Sequence, residues 1–230
     1  MQKATLDLSD DQRDYWSVRP CLRKPTADLF EAAASLDLGV GAHLNGDRAR
    51  AAAQFRSADT QSVRDYIECM WGKRALWPEQ THYLRHRPVE GIPPPTPETR
   101  GTKVTSALKR TVVERDGFRC RYCSLPVIPA SIRKVLAKEY PADVPWGSTN
   151  NSQHAAFQAL WLQFDHVVPL SRGGPNDAEN VVVSCAACNF MKWDYHLEEM
   201  GLSDPRSRPP LSSCWDGLSR LVGGTRKCVL

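Results

Sequence analysis

Three features common in exported, membrane and repeat proteins are missing from this sequence of 230 residues. It contains no run of about 18 consecutive apolar residues, so it predicts no membrane-spanning helix. The first 16 residues lack both the apolar stretch and the cleavage site of a secretory signal, and no internal repeat is present. The chain is 41% hydrophobic and long enough to bury a substantial core. We therefore expect a soluble cytoplasmic protein of one or two domains.

Net charge is missing from the first 100 residues, which contain 14 Lys plus Arg and 14 Asp plus Glu. The whole chain contains 30 and 26, so the other 130 residues hold 16 basic and 12 acidic side chains and the entire net charge of +4. A basic cluster opens this second part: Lys103, Lys109, Arg110, Arg115, Arg119 and Arg121. Such a cluster predicts contact with a phosphate backbone, and a solvated helix face is the alternative.

A disulfide framework is also missing, because four of the eight cysteines are scattered without regular spacing: Cys21, Cys69, Cys214 and Cys228. They predict free thiols in a reducing compartment. The other four form two Cys-x-x-Cys pairs: Cys120 with Cys123, and Cys185 with Cys188. A gap of two residues lets both sulfurs of a pair turn onto one ion, and four thiolates complete the tetrahedral shell of a structural Zn²⁺.

The segment between the pairs predicts a β-hairpin followed by a helix. WLQFDHVVPL (161–170) and NVVVSC (180–185) are rich in strand formers, and a polar turn with two glycines joins them. CAACNFMKWDYHLEEM (185–200) has apolar residues at helical spacing, and Gly201 marks its end. A redox-active site needs one Cys-x-x-Cys at a strand-to-helix junction. Two pairs that bracket a hairpin favour zinc over that alternative and over unrelated buried thiols.

Four polar residues are predicted to meet at one end of this unit. Asp165 and His166 end the first strand, Asn180 opens the second, and Asn189 lies in the first turn of the helix. Carboxylate and amide oxygens bind hard divalent cations. The sequence therefore predicts a second, hydrated cation beside the histidine.

These motifs resemble the HNH endonuclease family, whose ββα-metal core is often braced by a four-cysteine zinc knuckle. The resemblance begins at ALKRTVVERDGFRCRYC and continues through DHVVPLSRGG, EN and CAACNFMK, covering roughly 100 of the 230 residues. One departure is the link of about 40 residues between Cys123 and Asp165, which is longer than is usual in the family.

The resemblance implies a role for each polar residue. His166, Asn180 and Asn189 match the three positions of the family name, and Asp165 matches its acidic metal ligand. His166 would accept the proton of the attacking water, because an imidazole can take a proton at neutral pH. Asp165 and Asn189 would bind Mg²⁺ or Mn²⁺, and Asn180 would orient the imidazole or its loop. The alternatives are a structural histidine, a turn residue at Asn180 and a helix cap at Asn189.

Five basic residues are the predicted DNA contacts: Lys109, Arg110, Arg121, Arg172 and Lys192. Lys192 lies one turn beyond Asn189, from where an ammonium group can reach a phosphate. Arg172 stands beside the Gly173-Gly174 turn. The alternative for each of them is a solvated surface charge.

Four segments are predicted along the chain. Residues 1–90 form a helical region, with helices in ADLFEAAASL, NGDRARAAAQF and DTQSVRDYIECMWGKRAL. Residues 91–102 form a Pro-rich linker, since PVEGIPPPTPETRGT contains five prolines and two glycines. Residues 103–204 form the nuclease domain, and residues 205–230 form a tail with a short helix.

We therefore expect an α+β protein: a ββα-metal HNH nuclease core braced by a four-cysteine zinc site, with a mostly helical N-terminal region. The family implies metal-dependent hydrolysis of DNA phosphodiester bonds, in settings such as restriction or phage defence, with RNA as the alternative substrate. Two other functions stay open. One is a non-catalytic zinc-ribbon-like module that binds nucleic acid, and the other is a nuclease subunit of a larger complex.

Overall fold

A computed structural model of the protein describes residues 25–71, 89–92, 103–211 and 213–224, without the side chains of residues 69–71. In this part of the chain the helices are α1 (Ala27–Leu44), α2 (Arg48–Ser57), α3 (Gln61–Trp71), α4 (Ser106–Asp116), α5 (Ala130–Glu139), α6 (Ala155–Ala159), α7 (Ala186–Lys192) and α8 (Leu197–Met200). The strands are β1 (Leu162–His166) and β2 (Val181–Cys185). Short 3₁₀ turns occur at Asn150–Ser152, Leu170–Arg172, Pro205–Ser207 and Ser219–Val222. Helices around one small sheet confirm the predicted α+β class.

Residues 25–71 of the N-terminal region are mostly helical, as predicted. Leu29, Leu36 and Val40 recur along one face of α1 and are fully buried. Helix α2 begins after Asp47, whose side chain accepts a hydrogen bond from the backbone N of Arg50 at 3.0 Å. No helix in the described ranges is both long and apolar enough to cross a bilayer.

Helices α1 and α2 come very close together at Gly39. A Cβ atom at Gly39 would lie 2.4 Å from Cε1 of Phe55, so the ring of Phe55 needs the space that glycine leaves. The same ring packs edge-on against Tyr140 beyond α5, with ring centroids 4.9 Å apart. The N-terminal helices therefore pack directly against the second half of the chain.

The long link between the first cysteine pair and β1 forms this contact surface. It contains α5 and α6, and its buried His154 donates from Nε2 to the carbonyl O of Phe55 at 2.9 Å. The backbone N of Ala155 donates to Oδ1 of Asp59 at 2.8 Å. Burial lowers the pKa of His154, so its ring is neutral at neutral pH. Residues on both sides of the predicted linker thus share one core, and the predicted segment boundaries stay predictions.

Helix α4 leads into the first cysteine pair and is tied to β2 by Asp116. Thr105 begins the helix by accepting a hydrogen bond from the backbone N of Leu108 at 3.2 Å. Asp116, buried at its other end, accepts from the backbone N of Val183 at 2.9 Å. A paired and hydrogen-bonded carboxylate is the form in which an acid is tolerated inside a protein. Asp116 therefore fixes the helix against the hairpin.

The predicted hairpin is present. Strands β1 and β2 are antiparallel, with Leu162 opposite Cys185 and His166 opposite Val181. Every residue of β2 is buried, which explains its β-branched sequence. Successive side chains of a strand point to opposite faces, so Asp165 and His166 leave β1 on opposite sides.

The single helix predicted for residues 185–200 is wrong, because the structure divides it into α7 and α8. Trp193 adopts φ = +51° and ends α7, a conformation that is strained for a bulky residue. Helix α8 then begins after His196 and ends at Gly201, which is left-handed as expected for a helix stop. Helix spacing of apolar residues continued through the break, so the pattern did not reveal it.

The tail packs back on the protein, with the 3₁₀ turn Ser219–Val222 in place of a short α-helix. Arg220 donates to Oδ1 of Asp37 in α1 and to Oδ1 of Asp216, both at 2.7 Å. Cys214 is disulfide-bonded, so the prediction of a free thiol is wrong for this residue. Cys21, Cys228 and the side chain of Cys69 lie outside the described residues.

Candidate zinc site and active site

The four paired cysteines converge in the structure. Cys120 and Cys123 lie in the turn after α4, and Cys185 and Cys188 lie at the start of α7; all four are buried. Their Sγ atoms all lie within 4.8 Å of one another, and those of Cys123 and Cys185 are 3.7 Å apart. A tetrahedral zinc with Zn–S bonds of about 2.3 Å separates its sulfurs by about 3.8 Å. The cluster therefore fits a zinc site.

Hydrogen bonds link the four sulfurs into one group. Burial raises the pKa of the Cys120 thiol, but hydrogen bonds from the other three cysteines outweigh this effect and hold that pKa well below its ordinary value. The hydrogen bond with Cys120 raises the pKa of Cys185 to about 11. Cysteines bind zinc as thiolates, so the cation takes the place of the thiol protons. Four buried sulfurs gathered this closely are suited to that exchange.

His166 is half-buried at the end of β1, and its ring is held by the turn that follows. Its Nε2 lies 2.9 Å from Oδ1 of Asn176. The amide nitrogen of Asn176 in turn lies 3.5 Å from the carbonyl O of Lys103, just before α4. The imidazole is therefore positioned by a residue outside the hairpin strands.

Asn180 locks the loop between the strands and makes no hydrogen bond with His166. Its Oδ1 accepts from the backbone N of Val168, and its Nδ2 donates to the carbonyl oxygens of Val168 and Pro175, at 2.8 to 2.9 Å. The loop is so tight at Gly174 that a Cβ there would lie 1.9 Å from the carbonyl O of Val168. Of the two predicted roles for Asn180, its geometry therefore favours support of the loop.

Asp165 lies on the other face of β1, where it is only 4% exposed. Tyr122 donates its hydroxyl to Oδ2 at 2.5 Å, and Nζ of Lys192 lies 3.3 Å from both carboxylate oxygens. Lys192 also donates to the carbonyl O of His166 at 2.9 Å. Burial raises the pKa of Asp165, and the nearby Lys192 opposes that rise. A metal ligand is predicted here, but a lysine ammonium balances the carboxylate in this structure.

Asn189 lies on α7 one turn before Lys192, so both residues share the helix face toward Asp165. It is half-buried, and its amide group has no hydrogen-bond partner among the described residues. Helix α7 is capped by Cys185, whose Sγ accepts from the backbone N of Cys188 at 3.5 Å. The structure thus rules out a capping role for Asn189 and leaves its oxygen available. Apart from the cysteine cluster, the described residues contain no group of three or more His, Cys, Asp or Glu ligands.

The expectation that Arg121 contacts DNA is corrected by its burial. Its side chain is 7% exposed, and Nη2 donates to the carbonyl oxygens of Pro205 and Arg208, both at 2.5 Å. Nη1 of Arg121 lies 3.4 Å from Oδ1 of Asp116. The guanidinium group therefore ties the tail to the cysteine turn and does not face solvent.

Arg172 and Lys192 need the same correction. The side chain of Arg172 is 6% exposed and donates from Nε to the carbonyl O of Asp194 at 3.1 Å, while Nη2 lies 3.4 Å from Oε1 of Glu199. Lys192 is 2% exposed and is bound by Asp165. A buried charge is stable only when it is paired and hydrogen-bonded. Both side chains are used inside the fold and are not available to a phosphate.

Lys109 and Arg110 are exposed, and their predicted contact with DNA stays a prediction. Nζ of Lys109 lies 5.5 Å above the ring centroid of Phe164. Phe164 and His166 are two residues apart on β1 and so point to the same face, about 7 Å from each other. Lys109 therefore lies on the face of the hairpin that carries the histidine.

Sequence reasoning missed Tyr122 and Asn176. Each contacts a predicted site residue. Neither residue is unusual at its place in the sequence, so neither was singled out. Tyr122 stands between the first two cysteines, and Asn176 stands in a polar turn. The contacts join residues 43 and 10 positions apart, and no local pattern marks such pairs.

Comparison with known families supports the resemblance. The family model described as HNH endonuclease matches residues 156–194. That interval contains β1, β2 and α7, with the second cysteine pair and the four polar residues discussed above. No curated protein and no solved structure matches the chain. The predicted resemblance is confirmed over residues 156–194, which match the HNH endonuclease model.

Proposed function

We propose that this protein is a metal-dependent endonuclease that hydrolyses phosphodiester bonds in DNA. The observation that carries the proposal is the position of His166, within the matched HNH segment and on the face of β1 toward Lys109. A proton acceptor and a phosphate-binding cation on one accessible surface are what the hydrolysis of a backbone linkage requires. DNA is the preferred substrate because it is usual for the family, and RNA is the alternative.

His166 is the proposed general base. Its imidazole accepts the proton from a water that attacks phosphorus, which contributes about 10² to 10⁴ in rate. Asn180 holds the loop on which the imidazole depends. Lys109 and Arg110 are the proposed contacts to the phosphate backbone.

Asp165 and Asn189 are the proposed ligands of Mg²⁺ or Mn²⁺. When bound, such a cation stabilises charge on the phosphate oxygens and on the leaving group. Both residues offer hard oxygen ligands, but Lys192 now balances the charge of Asp165. A metal at Asp165 would therefore share this carboxylate with Lys192 or displace it.

The cysteine cluster is the proposed site of a structural Zn²⁺. All four ligand positions come from the protein, so no position is left for a substrate. A reducing cytoplasm, the proposed location, would keep these four thiols available to the metal. Restriction or phage defence is the proposed setting, either alone or as a nuclease subunit of a larger complex. The proposed boundaries are those predicted from the sequence, with the nuclease domain at residues 103–204.

The proposal is tested with supercoiled plasmid DNA and the purified full-length protein. We expect nicked or linear product with Mg²⁺ or Mn²⁺ and none with excess EDTA. The variant His166→Ala should keep its zinc content, fold and DNA affinity while the cleavage rate falls by about 10² or more. Cleavage by His166→Ala at the parent rate under saturating metal would contradict the assignment.

A non-catalytic nucleic-acid-binding module is the second candidate. The pairing of Asp165 with Lys192 and Tyr122 favours it, because that carboxylate is already satisfied without a metal. Zinc content and DNA binding without cleavage under any tested divalent cation would support this candidate over the nuclease.

A further inference from the structure

We propose that Asn176 is a positioning residue that fixes the tautomer of His166 and so makes Nδ1 the proton acceptor of the proposed reaction. The role of Nδ1 in catalysis rests on the proposed function. The tautomer of His166 rests on geometry alone, because the contact is a single hydrogen bond of 2.9 Å between Nε2 of His166 and Oδ1 of Asn176.

The orientation of the Asn176 amide decides which atom donates. Its Nδ2 faces the carbonyl O of Lys103 at 3.5 Å, and its Oδ1 faces His166. The reversed amide would bring two acceptor oxygens together at the position of Lys103. An amide oxygen has no proton to give, so the hydrogen atom of this bond belongs to Nε2 of His166.

A neutral imidazole carries one proton, and a proton on Nε2 leaves the lone pair on Nδ1. Nδ1 of His166 has no hydrogen-bond partner among the described residues. It is therefore the ring atom that is free to accept a proton from water. If the proton lay on Nδ1 instead, Nε2 and Oδ1 would be two acceptors in contact, which is unfavourable.

The position of Asn176 in the fold makes it suited to this task. It lies in the turn that Asn180 and Gly174 hold in one shape. It also reaches the segment just before α4 through Lys103. Asn176 therefore connects the segment before α4 to the imidazole. The conformation of the turn determines the orientation of the proposed base. Residues that orient a catalytic or ligating histidine in this way commonly change activity by about 10- to 100-fold when replaced.

The test combines a spectrum with a rate. Nitrogen-15 NMR of the histidine rings distinguishes the two neutral tautomers, and the His166 signals are identified by their loss in His166→Gln. We expect His166 of the parent protein to be a pure Nε2–H tautomer. Asn176→Ala should give averaged shifts of mixed tautomers, and kcat for plasmid cleavage should fall about 10-fold or more while DNA affinity stays unchanged.

Two further variants separate positioning from general damage. Asn176→Asp keeps an oxygen that accepts from Nε2, so it should retain the parent tautomer and more activity than Asn176→Ala. Asn151→Ala removes an exposed asparagine from another turn, the 3₁₀ turn Asn150–Ser152, and should change neither the tautomer nor the cleavage rate.

The spectrum also separates failure of this proposal from failure of the proposed function. A pure Nε2–H tautomer that depends on Asn176 supports the positioning role even if no cleavage is found. A parent protein with an Nδ1–H or averaged ring, or an Asn176→Ala variant with an unchanged spectrum, overturns the proposal whatever the cleavage assay gives.

Discussion

The cysteine cluster and the three polar residues His166, Asp165 and Asn189 lie close together in the chain but differ in how complete their sites are. The four sulfurs are buried within 4.8 Å of one another. His166 and Asn189 are half-buried, and the carboxylate of Asp165 is balanced by Lys192 rather than by a metal. A permanent ion needs a closed set of ligands, whereas a site that turns over needs open positions. The cysteine cluster offers all four ligands of its proposed ion from the protein. The site around His166, Asp165 and Asn189, called the open site below, would be completed only by its ligands.

The largest expected effect comes from breaking the closed site. Cys188→Ala should abolish zinc retention and unfold the unit that contains the cysteine cluster and the hairpin. Zinc binding to small cysteine sites is worth about 10 to 16 kcal/mol, comparable with the total stability of a domain at about 5 to 15 kcal/mol. Zinc per chain after dialysis and the circular dichroism spectrum are the measurements.

Cys188→His is the matched control for that experiment, because histidine is also a zinc ligand. It should retain more zinc and more folded protein than Cys188→Ala. A Cys188→Ala protein that is folded and active without zinc would remove the structural role from the cluster.

The next largest effect should come from Lys192 at the open site. Lys192→Met leaves the carboxylate of Asp165 buried without its cation, and breaking a buried pair costs about 3 to 5 kcal/mol. If Asp165 is a metal ligand, Mg²⁺ or Mn²⁺ should recover part of this loss by binding the folded state. The unfolding temperature should therefore rise more with added metal in Lys192→Met than in the parent.

The double variant Lys192→Met/Asp165→Asn is the control, because it removes both charges. Its unfolding temperature should not respond to the metal. An equal response in the single and double variants would show that the ion binds elsewhere, and Asp165 would then be a partner of Lys192 only.

A smaller effect is expected at Asn180. Asn180→Ala leaves the backbone groups of Val168 and the carbonyl O of Pro175 without their partner, and each lost hydrogen bond contributes about 0.5 to 1.5 kcal/mol. Asn180→Asp keeps the acceptor for the backbone N of Val168 but loses both donors, so it also tests the loop. Urea denaturation should show a loss of stability in both variants with zinc content unchanged. Stability equal to the parent in Asn180→Ala would mean that the loop does not depend on this residue.

The smallest effect is expected on the exposed surface. Replacing Lys109 and Arg110 together by Ala should weaken DNA binding. The slope of the logarithm of affinity against the logarithm of salt concentration should fall by roughly 0.9 per lost phosphate contact. Arg50→Ala removes another exposed arginine, on α2, and is the control. The affinity is measured over a range of salt concentrations, and an unchanged slope in the double variant would place the DNA on another face.

The cysteine cluster, the hairpin and the position of His166 could be predicted from the sequence because they depend on short spacings. Two residues between cysteines and alternation along a strand are local properties. The break at Trp193 could not be predicted in the same way. Apolar residues continue at helical spacing through it, and the conformation of one residue ended the helix.

The sequence by itself therefore determined which residues form the cysteine cluster and which strand carries the histidine. Only the tertiary structure decided which basic residues stay exposed, since Arg121 and Lys192 had the same formal charge as Lys109. It also decided that Tyr122 meets Asp165 and that Asn176 meets His166. Charge and residue type are read directly from a sequence, whereas burial and hydrogen-bond partners depend on segments that meet only when the chain folds.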